Sequence, residues 1–360
     1  MLSSLLLFLA ILFLAFWNGA NDVSKGVATL AGSGVTRLRS AVIWGTIWTG
    51  AGALTAAFAA MGLVNAFSGS GLIPSMPAGN ALFIAVGGGA VMWVAFATRT
   101  ALPVSTTHAI TGALLGAGIA AVGWSGIAWP VLATKFAAPL LLSPLVSLTL
   151  VFLAMPLPRM TFGGLQRHCV CVERDVAISA SSAAVALASP PMLIAGSRAL
   201  CEASPSVVAR LNLMDGMHWL TAGATSFARG LNDAPKILGL GIAASATLGL
   251  SPTLAFILVA AVMVAGSLIA GLRVTETLAC KVTTMAPAEG FAANLVSATV
   301  VILASRLALP VSTTHVSSGA IIGLGLKRGR GSIRWKTVRN MLGAWVITLP
   351  VSGALAAAFY

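Results

Sequence analysis

Apolar windows of roughly 18 to 25 residues recur along the 360-residue chain. In the first half they run over 2–20 with a continuation to about 34, then 40–64, 79–98, 104–121 and 129–155. In the second half they run over 211–231 with a continuation to about 247, then 252–272, 284–305, 311–326 and 337–359. Such lengths match what a helix needs to cross a hydrocarbon core of about 30 Å. The alternation of polar and apolar residues that marks barrel strands is missing. The pattern predicts an all-α polytopic membrane protein.

Composition agrees, with 58% hydrophobic and 8% charged residues, where a soluble domain carries about a quarter charged. The formal charge of +13 lies mainly in short stretches between apolar segments, so it reads as a topology signal and not as a nucleic-acid surface. Arg37 and Arg39 follow the first segment, and Arg159, Arg167 and Arg174 follow the fifth. In the second half Arg273 and Lys281 follow the second segment, and "KRGRGSIRWK" follows the fourth. Placing these inside puts both termini outside a plasma (inner) membrane. "MLSSLLLFLAILFLAF" lacks a basic leader region and is expected to remain as the first span.

The chain repeats itself. "ATRTALPVSTTH" (97–108) matches "ASRLALPVSTTH" (304–315) at ten of twelve positions, 207 residues on, and "NDVSK" and "NDAPK" lie 211 apart. With the charge distribution, this predicts an inverted-topology repeat with broken helices and re-entrant helical hairpins. The repeats are 1–155 and 211–360, joined by a cytoplasmic linker, 156–210, whose apolar stretch 176–196 is read as not crossing. Cys169, Cys171, Cys201 and Cys280 show no disulfide framework, and three of them fall in that linker, so structural disulfides are not expected. "HCVCVER" in the same linker has no partner cluster at zinc-site spacing.

Two motifs carry the chemistry. "PVSTTH" places Pro and hydroxyl residues where helices begin, so Ser105, Thr106, Thr107, Ser312, Thr313 and Thr314 present hydroxyls and unpaired N–H groups suited to an anion. In the other motif, Asn21 and Asp22 with Lys25, and Asn232 and Asp233 with Lys236, sit inside apolar spans, where charged groups are costly and usually functional. Gly19, Gly230 and Pro235 suggest that the helices break there, freeing carbonyls for a cation and N–H groups for an anion. Two Asp and two Lys sum to zero, so a dianion needs accompanying positive charge, which favours cotransport of Na⁺ or H⁺. Na⁺ is expected at Asp22 and Asp233.

His108 and His315 are candidate proton carriers, and Arg99 and Arg306 could attract an anion or anchor the interface. Glu289 and Asn294, without counterparts in the first half, are candidate accessory cation ligands. Gly112, Gly116, Gly319 and Gly323 form small-residue pairs suited to close helix packing. No cofactor beyond the coupling ion is implied.

At "GANDVSKGVATLAGSGV", "GLNDAPK" and the two copies of "LPVSTTH", the sequence resembles the inorganic phosphate transporter (PiT) family. The resemblance implies a carrier of phosphate with Na⁺ or H⁺, often a homodimer. It also implies a substrate site at the two "STT" starts and cation sites at the two Asn-Asp pairs. One departure concerns charge: many members continue the first motif as "NDVANA", without the lysine found here at Lys25.

Other readings compete. One is a sulfate permease of the same fold, although sulfate lacks the proton that the P–OH of phosphate offers to a carboxylate. A passive anion channel would not need duplicated binding elements. An intramembrane aspartyl protease needs two carboxylates sharing a proton, and here each Asp has its own Lys.

Overall fold

The computed structural model describes residues 1–155, 168–173, 192–197 and 207–360. The first half holds α1 (Leu2–Gly32), α2 (Leu38–Ala59), α3 (Met61–Phe67), α4 (Ala81–Arg99), α5 (Thr106–Val122) and α6 (Trp129–Ala154). The second half holds α7 (Leu213–Gly239), α8 (Ile242–Thr247), α9 (Pro252–Ala270), α10 (Leu272–Cys280), α11 (Pro287–Arg306), α12 (Thr313–Arg328) and α13 (Trp335–Phe359). Among the described residues, seven helices are long and apolar enough to cross a membrane: α1, α2, α4, α6, α9, α11 and α13. Leucines such as Leu5, Leu9, Leu141 and Leu145 stay exposed on the outside of the bundle, as they do where lipid is the solvent. The protein is an integral membrane protein.

Four of the closest helix pairings join a helix to the counterpart of its own neighbour. α1 lies against α9 and α7 against α2; α5 lies against α13 and α12 against α6. Glycines set these approaches in matched pairs. A Cβ on Gly19 would strike the carbonyl of Met263, and one on Gly230 the carbonyl of Thr49. Gly116 likewise meets Gly353, and Gly323 meets Leu148. Close backbone approach is how small residues hold membrane helices together without a hydrophobic driving force.

The counterparts α1 and α7 run antiparallel. Near its start α7 carries His218, beside Thr29 and Ser33 at the end of α1. Just past the end of α7, Gly241 faces Ile11 and Leu7 near the start of α1. One end of the bundle gathers the basic segments: Arg334 donates to the Cys280 carbonyl, and Arg328 pairs with Glu289. At the other end, Asn80 reaches Ser4 and Ala128 pairs with Leu72.

Two expectations are corrected. α1 and α7 run unbroken through both Asn-Asp motifs. The reason is that a helical glycine costs only about 1 kcal/mol, and the polar side chains find partners without unwinding the backbone. The discontinuities lie instead between α4 and α5 and between α11 and α12. There Ala101 (φ 57°) and Ala308 (φ 54°) adopt the left-handed conformation. Leu102 N–H donates to Ala97 O at 2.8 Å and Leu309 N–H to Ala304 O at 2.9 Å, closing each helix as a glycine C-cap would.

The second correction is in the linker. His168–Glu173 (β1), Met192–Ser197 (β2) and Val207–Leu211 (β3) form an antiparallel sheet in the order β2-β1-β3. The end of the apolar stretch 176–196 is therefore a paired strand, and the rest of it lies outside the described residues. Cys171 is disulfide-bonded while Cys169 and Cys280 are free. Cysteine spacing could not anticipate this, because spacing is blind to which segments the fold brings together.

Candidate functional site

The turns of the two hairpins, 100–105 and 307–312, meet each other inside the bundle, against the interiors of α1 and α7. The contact is reciprocal. Thr107 donates to Val311 O at 3.4 Å, and Thr314 donates to Val104 O at 2.7 Å. This is the arrangement expected of re-entrant hairpins. It places the first turns of α5 and α12, whose N–H groups have no intrahelical acceptor, in the middle of the protein.

Ser105 and Ser312 are the N-caps: each Oγ accepts from the N–H three residues on, at His108 (3.1 Å) and His315 (3.2 Å). Their side chains are thus occupied in holding the helix starts. The hydroxyls of Thr106, Thr107, Thr313 and Thr314 are buried with them.

From α1, Asn21 holds the first hairpin. Its Nδ2 donates to Thr98 Oγ1 (3.1 Å) and Leu102 O (3.0 Å), and its Oδ1 accepts from Val104 N–H (3.2 Å). Lys25, 1% exposed, donates to Asn21 Oδ1 and to Asp22 Oδ1, both at 2.7 Å. From α7, Asn232 accepts from Ser305 Oγ (3.1 Å) and donates to Val311 O (3.2 Å). Lys236 donates to Val311 O (2.7 Å) and Thr107 Oγ1 (2.8 Å), with Asp233 Oδ1 at 3.5 Å.

The two motifs join at a residue that motif matching passes over. Asn18 Nδ2 faces Asp22 Oδ2 (3.3 Å), Asp233 Oδ2 (3.3 Å) and Thr106 Oγ1 (3.1 Å) at once. Its Oδ1 is buried with no hydrogen-bond partner among the described residues. Arg229 is also buried there, 1% exposed, with none of its three nitrogens partnered. Both are the first letters of the repeated stretches "NGAND" and "RGLND". A polar residue inside an apolar span was the available signal.

The remaining candidates fall in different places. His108 and His315 are side by side, their ring centroids 4.3 Å apart and their planes tilted by 46°. His108 Nδ1 lies 2.9 Å from Ser105 Oγ, and His315 Nδ1 lies 3.2 Å from Leu140 O. Asn294 donates to Gly26 O, one turn beyond Asp22 on α1. Glu289 is not part of the cluster: it pairs with Arg328 at 2.7 Å and accepts from Ala286 N–H at the start of α11. Arg99 and Arg306 are exposed at the ends of α4 and α11, Arg99 over the Trp17 ring at 4.9 Å.

Comparison with known proteins identifies the family. The description of the phosphate transporter family fits residues 18–356. The chain belongs to the phosphate transporter family. It is 30% identical to an inorganic phosphate transporter 2-1, chloroplastic, of Arabidopsis thaliana, over 96% of this chain and 69% of the relative. It is 26% identical to a probable low-affinity inorganic phosphate transporter of Bacillus subtilis (strain 168), over 99% of this chain and 96% of that one. A solved structure titled the sodium-dependent phosphate transporter superposes with a TM-score of 0.79 at 23% identity, covering 100% of this chain and 98% of the other. That likeness shows a shared fold.

Proposed function

We propose that the protein is a secondary active transporter that imports inorganic phosphate together with Na⁺ or H⁺ by alternating access. One observation carries the reading: in a member of the phosphate transporter family, two helix N-termini with four threonines converge on two Asn-Asp-Lys sets. Anions bind at such N-termini, and a carboxylate beside them needs a cation when the anion arrives. With the Asn18 carboxamide turned over so that Oδ1 takes the place of Nδ2, Asp22 Oδ2, Asp233 Oδ2 and Asn18 Oδ1 are the oxygens for that cation, a hard-ligand set suited to Na⁺. Thr106, Thr107, Thr313 and Thr314, with Lys25 and Lys236, are the anion's partners.

In the described state Thr107 and Thr314 spend their hydroxyls on the opposite turn. Anion binding exchanges these bonds for bonds to phosphate oxygens, which loosens one hairpin turn from the other and lets the halves rock. The antiparallel counterpart helices suit an inverted repeat, and the basic end of the bundle suits a cytoplasmic face in a plasma membrane, with both termini outside and two copies forming a homodimer. The His108–His315 pair, bonded to a cap and a backbone carbonyl, is read as bracing the helix starts. Because Lys25 pairs with Asp22 and Lys236 stands by Asp233, the arrangement differs from a proton-sharing protease dyad.

The test is uptake of labelled phosphate, with sulfate in parallel, into proteoliposomes under an imposed Na⁺ gradient or an imposed pH gradient. Accumulation of phosphate driven by either gradient is the expected result, and the gradient that works names the coupling ion. Sulfate accumulation without phosphate would overturn the substrate. Equilibration without accumulation would make the protein a channel.

A further inference from the structure

Superposing the repeats through their Asn-Asp motifs sets Asn18 against Arg229, 211 residues on. The other cluster residues keep their type across the repeat: Asn21 and Asn232, Asp22 and Asp233, Lys25 and Lys236, Thr107 and Thr314, and the hydroxyls of Thr98 and Ser305. This pair does not. The first half offers a neutral amide with a free acceptor, Asn18 Oδ1. The second half offers a guanidinium.

Arg229 is fully enclosed, yet Nε, Nη1 and Nη2 have no hydrogen-bond partner among the described residues. It stands one helical turn before Asp233 on the same face of α7, near enough for the charges of Asp22, Asp233 and Lys25 to act on it. An unpaired guanidinium in the interior costs several kcal/mol. Its five donors are built for an oxyanion. The two carboxylates do not require it, since Lys25 is 2.7 Å from Asp22 and Lys236 is 3.5 Å from Asp233. Lys25, Lys236 and Arg229 against Asp22 and Asp233 leave the cluster one positive charge in excess. A site with the first half's amide in both places would be neutral, and would have to draw two monovalent cations from solution to receive a dianion.

Building on the transport reading above, we infer that Arg229 is a tethered counter-cation of the phosphate site. It stands in for one coupling ion, so that a phosphate dianion enters with a single cation. The residue that sets the coupling ratio is thus the one at which the two halves differ.

The experiment is equilibrium binding of labelled inorganic phosphate to the purified full-length protein, with every measurement kept in the alkaline range of pH where phosphate is dianionic. Na⁺ is titrated in one series and protons in another. By linkage, the slope of log Kd against log cation concentration counts the cations bound with the anion. A tenfold drop in the coupling cation should weaken phosphate binding about tenfold in the wild type and about a hundredfold in Arg229→Gln. Arg229→Lys should keep the wild-type slope. A wild-type slope near two overturns the inference. So does an Arg229→Gln protein with a raised Kd and an unchanged slope, which would make Arg229 an ordinary anion ligand. If Arg229→Gln fails to fold, the wild type and Arg229→Lys decide alone: slopes near one in both support the inference, and slopes near two refute it. Absence of phosphate binding in the wild type under either cation would refute the transport reading itself, and the inference with it.

Discussion

The two halves of this protein are built to one plan and wired differently at its centre. In the first half Lys25 sits 2.7 Å from both Asp22 Oδ1 and Asn21 Oδ1 on its own helix, with Val104 O of the first hairpin turn at 3.4 Å. In the second half Lys236 bonds most closely to Val311 O in the second hairpin turn and to Thr107 Oγ1 in the first turn of α5, with Asp233 Oδ1 at 3.5 Å. The two lysines are equivalent by sequence, and each stands by its own aspartate and a hairpin carbonyl, but the first is held most closely by its own helix and the second by the hairpins. Duplication supplies the scaffold, and single side chains decide how each copy is used.

Removing the carboxylates should break this comparison most sharply. Asp22→Asn and Asp233→Asn are both expected to abolish phosphate accumulation in proteoliposomes. Their stabilities should differ. Asp22→Asn strips Lys25 of its close charge partner deep in the bundle, a loss of about 3–5 kcal/mol. Asp233→Asn removes a carboxylate that stands farther off, 3.5 Å from Lys236, and should cost roughly half as much. Thermal unfolding in detergent reads the difference, and equal losses would mean that the two ion pairs are equivalent after all.

Next come the helix crossings, where the halves should behave alike. Gly19→Val and Gly230→Val each push a side chain into a facing carbonyl and should cost about 1–3 kcal/mol or more, by equal amounts. A clear inequality would mean that one crossing bears more of the fold. Smaller again are the hydroxyls. Thr106→Val and Thr313→Val should each weaken phosphate binding about fivefold to tenfold. Only Thr106→Val should also disturb cation affinity, because Thr106 shares Asn18 with both aspartates; an unchanged KM in both would remove the threonines from the site. The smallest change is expected for Ala101→Gly and Ala308→Gly. Relief of the left-handed strain, about 1 kcal/mol, is offset by a similar entropic cost of glycine, so melting temperatures should barely move.

Much of this was legible in the letters. Apolar windows found the helices, because a bilayer enforces length, and the repeat found the hairpins, because "PVSTTH" is copied almost unchanged. The continuity of α1 and α7 was not legible. Glycine and proline report local propensity, while the packing that holds these helices straight comes from residues more than 200 positions away, such as Met263 against Gly19. Asn18 and Arg229 were passed over for the opposite reason: a search for identity cannot see a position defined by being unlike its counterpart. The strands of the linker were hidden too, because a strand of six residues next to short polar runs carries little periodic signal.

The exchanged packing of α1 on α9 and α7 on α2 has an evolutionary consequence. Helices of each half are buried against helices of the other, so a half-length chain would need a second, antiparallel copy to cover them. In such a pair every substitution appears twice, and a lone guanidinium at the centre is impossible. A single polypeptide that carries both copies is free of that symmetry, so one copy can differ from the other at any position.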